Sequence, residues 1–248
     1  MTPFSERRPV AFALILWLIF FIFEVAAGTI ATIGELGNMG QLFMANGLVI
    51  LLILLVVSRK RWWREIGMAP VQKQDWLLFL IPLVLPATNL ARGWHVTDLG
   101  QIGLLLLAGA LVGFMEEGFF RGLLLRVLQP KGLAWAAWGT AVLFGLPHLL
   151  NVMGGQSLAV SLIQVFYALV FGLVFALVAL AARAIWPLML IHGLNNIFVW
   201  GAEGGIGQGK EPTNAELLLV VALVAVFAVY AVFLWRRLRT PEAAKQAA

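Results

Sequence analysis

Eight long apolar runs follow one another through this chain, and they decide what it can fold into. They cover about 10–33, 41–58, 76–92, 100–126, 133–150, 157–183, 185–202 and 214–235. A bilayer core offers no water to peptide N–H and C=O groups, so each run must bond its own backbone and cross as a helix. The expected fold is all-α: a polytopic membrane helical bundle of about eight transmembrane helices, one integral membrane domain over 1–248. Composition agrees, with 62% of the 248 residues hydrophobic, 12% charged and a mean hydropathy of +0.94. A soluble domain of this length could not hide so much apolar surface.

The first run, behind Arg7 and Arg8, imitates a signal peptide, and Ala26-Ala27-Gly28 resembles a cleavage site. Its apolar character continues to Ile33 and many spans follow, so it reads as an uncleaved first helix. Turn signals separate later runs at 34–40, 129–132, 151–155 and 201–212. Tryptophans flank many run ends, as interfacial belts predict. No internal repeat points to an inverted-repeat transporter. Cysteine is absent, which removes disulfides, thiolate metal sites and a cysteine nucleophile.

The net charge of +5 and pI near 10.1 do not indicate nucleic acid, because the basic residues lie between apolar runs rather than on one face. With the N-terminus inside, Arg7, Arg8, Arg59, Lys60, Arg61, Arg64, Lys73, Arg126, Lys131, Arg183, Arg236, Arg237, Arg239 and Lys245 fall on the cytoplasmic side. Arg92 and Lys210 fall outside, a ratio of 14 to 2, and Arg121 lies within the fourth helix. The positive-inside rule then makes both termini cytoplasmic in a multi-pass cell-membrane protein. The basic stretch Ser58–Asp75, with RKRWWRE, reads as a topology-fixing loop, with an amphipathic piece lying on anionic headgroups as its rival reading.

Polar chemistry inside the spans is concentrated in three places. The first is Glu116-Glu117 with Arg121, in FMEEGFFRGLLLR. Each ionisable group at the centre of a span costs about 2.5–3.5 kcal/mol on insertion scales, so such groups mark function. Glu117 and Arg121 are i and i+4 and can pair on one helix face. Glu116, rotated about 100° from its neighbour, is then free for chemistry while Glu117 is structural. The second place is Phe144-Gly-Leu-Pro-His148, where Pro147 interrupts the helix. The third is His192-Gly-Leu-Asn-Asn196, with His192 and Asn196 stacked one turn apart.

Depth allows these places to meet. At 1.5 Å per residue Glu116 lies ~15 Å in from Arg126, His148 ~22 Å from Leu133 and His192 ~12 Å from Ala184. One polar cavity open to the cytoplasm accommodates all three. Glu24, in the first run, reads as a helix-paired carboxylate with a secondary role in the site as its rival reading.

No Ser-His-Asp arrangement, HExxH motif or phosphate loop is present. Two mechanisms stay open. A glutamate and His148 can activate a water molecule while His192 and Asn196 donate to an oxyanion. Alternatively Glu116, His148 and His192 can hold a zinc ion with water as fourth ligand.

Together the three places resemble the CPBP family, the CAAX protease and bacteriocin-processing intramembrane proteases, which carry EExxxR, FxxxH and HxxxN/D motifs in this order. Here they are Glu116-Glu117…Arg121, Phe144…His148 and His192…Asn196, within a catalytic core over roughly 100–202. The resemblance implies peptide-bond hydrolysis in the membrane, of a prenylated protein in the type II CAAX prenyl proteases. It implies Glu116 and His148 as the water-activating pair and His192 and Asn196 as oxyanion donors, with Glu117, Arg121 and Phe144 supporting. The cofactor is then none or zinc. The partners are a membrane-anchored protein or peptide substrate and the lipid bilayer, with no nucleic acid. A proton-coupled transporter, or a non-catalytic bacteriocin-immunity or scaffold protein, is the rival from another class.

Overall fold

The computed structural model describes residues 4–207 and 211–240, and among these every regular element is a helix. The principal ones are α1 (Pro9–Ile33), α2 (Gly37–Lys60), α3 (Val84–Leu90), α4 (Leu99–Glu116), α5 (Leu133–Gly145), α6 (Leu158–Ala182), α7 (Trp186–Glu203) and α8 (Asn214–Leu238). Their starts carry readable signals. Asp98 and Ser157 accept the backbone N–H of Gln101 and Val160, and Thr213 with Glu216 forms a capping box.

Two helices change character instead of ending. A π-helical segment (Glu117–Leu124), one α turn (Leu125–Leu128) and a 3₁₀ turn (Gln129–Lys131) extend α4. α5 runs into a 3₁₀ segment over Leu146–Val152, where Pro147 lacks the N–H that would continue an α-helix.

Six stretches are long and apolar enough to cross a membrane: Pro9–Ile33, Gly37–Lys60, Leu99–Lys131, Leu133–Val152, Leu158–Ala182 and Asn214–Leu238. The chain is an integral membrane protein with a helical bundle fold. α7 has 18 residues but is too polar to join that group, because it carries His192, Asn195, Asn196 and Glu203.

The continuous helix expected over 76–92 does not form. A 3₁₀ segment (Lys73–Phe79) is followed by a turn and then by the seven residues of α3. Pro82 supplies the reason: it removes a backbone donor and disfavours the α conformation in Ile81 before it. Pro86 is tolerated because it falls in the first turn of α3, where N–H groups lack helical partners.

The basic segments gather at one end of the bundle. There Lys60 Nζ donates to Ser5 Oγ (3.4 Å), Arg237 pairs with Asp75 (3.4 Å), and the Arg126 guanidinium lies 5.3 Å from the Trp62 ring. The loop after α2 packs under the start of α7, with Gly67 O accepting from Ile185 N and Ala69 O from the Trp186 indole. The stretch Ser58–Asp75 thus comprises the end of α2, a connection docked on the bundle and the start of the 3₁₀ segment. At the other end Arg92 pairs with Glu216 at 2.8 Å. Lys210 and Lys245 of the charge count lie outside the described residues.

α4 is the central element. Every residue of its π segment is buried, with α2, α5, α6 and α7 packed around it and Phe20 of α1 stacked on Phe119 (5.0 Å). Its closest neighbour is α7, and glycines set that distance. A Cβ at Gly193 would lie 2.7 Å from Gly109 O, and one at Gly113 would run into the carbonyl of Met189. Gly109 and Gly113 form a GxxxG face, which in membranes lets helix backbones touch. Gly113→Val is therefore expected to destabilise the bundle by about 1–3 kcal/mol, the usual cost of overpacking. A thermal melt of the detergent-solubilised protein reads this, and an unchanged midpoint would remove the glycine face from the account.

Candidate active site

The site begins where α4 widens. Glu116 is the last α-helical residue and Glu117 the first of the π segment. Such widened turns recur at functional sites because they redirect side chains without breaking the helix. Glu117 is fully buried and accepts from Arg121 Nη1 at 3.1 Å. The expected i, i+4 pair therefore exists.

The two glutamates do not go to separate surroundings. His192, carried in by the close α4–α7 contact, spans both: Nδ1 is 2.7 Å from Glu117 Oε1 and Nε2 is 3.4 Å from Glu116 Oε2. Glu117 Oε1 already accepts from Arg121, so Nδ1 is the donor in that bond. Nε2 then meets a second carboxylate. A proton between Nε2 and Oε2 makes that approach attractive, on one partner or the other. Glu117 thus orients the histidine as well as balancing the arginine.

Phe144 holds the arrangement together. The Arg121 guanidinium lies 4.0 Å from its ring centroid, with Phe175 (5.6 Å) and Phe120 (6.0 Å) completing an aromatic cage. A buried cation is stabilised by ring faces as well as by its carboxylate. The same Phe144 ring meets His148 (5.3 Å) and His192 (6.1 Å) edge to face. Gly172 of α6 makes room, since a Cβ there would lie 3.0 Å from Phe144 and 3.1 Å from Arg121 Nη2. The spacing of Phe144 and His148 thus ties one aromatic to the arginine and to both histidines.

His148 lies just past Pro147, half-buried, with Nδ1 donating to Phe144 O at 3.1 Å. Its Nε2 is left to accept. No hydrogen bond joins it to Glu116 among the described residues. Asn196 lies one turn beyond His192, half-buried. Its neighbour Asn195 is the residue with a partner, accepting from Asn89 of α3 at 2.9 Å. Glu24 lies one turn beyond Phe20, half-buried.

Glu116, Glu117, Arg121, Phe144, His148 and His192 therefore form one cluster, with Asn196 at its edge. Glu116 remains partly open, its side chain 22% exposed, while Glu117 is sealed. Among the described residues no group of three His, Asp or Glu side chains is close enough to hold a metal ion, while Nδ1 of His148 and of His192 is engaged and Nε2 of each faces the site. The arrangement can hold a water molecule beside a carboxylate and supply donors to a developing oxyanion.

Residues 98–198 match the family of type II CAAX prenyl endopeptidases, Rce1-like. This segment is similar to the Rce1-like family. The matched range begins at the cap of α4 and runs through Asn196, so it holds every residue of the cluster. The Rce1-like segment thus comprises α4, its π extension, α5, α6 and most of α7, while α1 and α2 lie outside it. No curated protein and no solved structure matches the chain.

Reading residues in isolation missed two contributors to this site. The Gly109–Gly113 face sets the α4–α7 distance, and its GxxxG spacing was a usable signal. Asn89, which bonds Asn195, carried none.

Proposed function

We propose that the protein is an intramembrane endopeptidase that cleaves near the C-terminus of a membrane-anchored, CAAX-type protein. The Rce1-like match supports the reaction class. The observation that carries the site is the His192 ring, held between Glu117 and Glu116 beside His148. Water approaches Glu116, the more open glutamate. As its oxygen attacks the scissile carbonyl carbon, Glu116 takes one of its protons. The Nε2–H of His192 turns from Glu116 to the oxyanion, and the Asn196 amide adds a second donor. The proton held by Glu116 passes through His148 Nε2 to the departing nitrogen as the C–N bond breaks. Both side chains end the cycle as they began it.

The basic end of the bundle faces the cytoplasm of the cell under the positive-inside rule, and substrate is proposed to reach the site from that side. Protein in lipid nanodiscs, given a farnesylated peptide ending in a CAAX box, should release its last three residues, as read by mass spectrometry. Turnover should survive a chelator, because no step runs through a metal. Absence of any product would overturn the activity, and loss of turnover with chelator would overturn the carboxylate-only chemistry.

A further inference from the structure

Pro147 leaves a gap that another helix fills. In an uninterrupted α-helix the carbonyl of Leu143 would accept from the N–H of residue 147, and proline has none. Inside a membrane, a carbonyl without a partner is costly. Here the Leu143 carbonyl accepts from the indole Nε1–H of Trp17 on α1, at 2.7 Å and 126 positions away in the chain. The next carbonyl along, Phe144 O, accepts from His148 Nδ1. Two successive carbonyls at the break are thus met by side chains, one from α1 and one from the histidine itself.

Trp17 is held firmly for this. Its ring stacks on Phe21 (5.6 Å, 27°). One turn along α1, Phe20 stacks on Phe119 and meets Phe120 edge-on (5.2 Å). A single stretch of α1 therefore grips the π segment that bears Glu117 and the broken turn that bears His148.

We infer that Trp17 is a positioning residue for His148: its indole N–H, by holding the Leu143 carbonyl, fixes the broken turn from which the histidine presents Nε2 to the site. This rests on the reading of His148 as the proton carrier. It gives α1, which lies outside the Rce1-like segment, a part in the reaction. A tryptophan that merely fills space would act through its ring alone, and its N–H would be dispensable.

Trp17→Phe keeps a large ring and removes the donor. In full-length protein in nanodiscs it should lower kcat on the farnesylated peptide by about tenfold or more, with KM within about twofold, since misplacement of a reacting group acts on the chemical step. Histidine ring signals supply a readout free of turnover. The chain has three histidines, so ¹³C,¹⁵N-histidine spectra are assignable by single substitution. The His148 signals should shift in Trp17→Phe while those of His95 stay in place.

Pro147→Ala restores a backbone N–H to Leu143. On that background Trp17→Phe should change kcat by no more than about twofold, because the two donors are alternatives. Wild-type kcat and unmoved His148 signals in Trp17→Phe would overturn the inference. So would an equal loss with and without Pro147. If the wild-type protein cleaves no peptide, the proposed activity fails, and the His148 signals still decide the role of Trp17.

Discussion

Glu116→Gln is expected to yield a folded protein that has lost cleavage, with kcat lower by about 10²–10⁴-fold, the range a general base supplies. The reason lies in how little else the substitution disturbs. The side chain is 22% exposed and among the described residues its one polar partner is His192 Nε2 at 3.4 Å, so no sealed ion pair is broken. The amide has the same shape as the carboxylate and its oxygen can still accept from Nε2–H. What it cannot do is take a proton from water. Parallel measurements settle the matter: melting midpoint and elution profile should match wild type while peptide release disappears. Turnover within about tenfold of wild type, less than a general base contributes, would remove Glu116 from the base role.

Arg121→Ala is expected to fail at an earlier stage, with the protein not accumulating in the membrane. Arg121 and Glu117 are 2% and 0% exposed, and removing one partner of a buried pair costs about 3–5 kcal/mol because the other charge is left behind. The loss also empties the cage of Phe120, Phe144 and Phe175. Membrane yield and thermal melting read the outcome. A sharper comparison is the double variant Glu117→Gln with Arg121→Met, which replaces the pair by neutral groups of similar bulk. It should recover much of the yield, since buried pairs are often replaceable without loss of stability. It should not recover activity, because His192 Nδ1 loses its charged acceptor. A single Arg121→Ala protein with wild-type yield and melting would show that the ion pair does not hold the core.

Much of this site was legible in the spacing of residues. Glu117 and Arg121 are four apart and do pair, and Phe144, His148 and His192 do converge with Glu116. The orientation of Glu116 was not legible. A rotation of 100° along a regular helix sent it away from its neighbour's partners, but the His192 ring is wide enough to reach both glutamates. That contact depends on how closely α7 approaches α4, which is set by glycines on two helices rather than by any charged residue. Apolar content likewise suggested one helix over 76–92, because hydropathy does not weigh the missing donor of Pro82. Trp17 lay unread in the middle of its run. The carbonyl it serves is 126 positions away, and nothing local in either stretch announces the pairing.

The polarity of α7 has a consequence for how the protein is made. Glu117, Glu116 and Asn89, which accompany His192 and Asn195, all belong to earlier helices, so α7 emerges from the ribosome after its polar partners. Less apolar than the six candidate spans, it is expected to settle through its contacts with α3 and α4. The polar groups of the candidate site are therefore also the groups that α7 meets when it joins the bundle. A substitution that spoils this reception should leave a chain with its other helices inserted and α7 stranded at the surface, exposed to quality-control proteases.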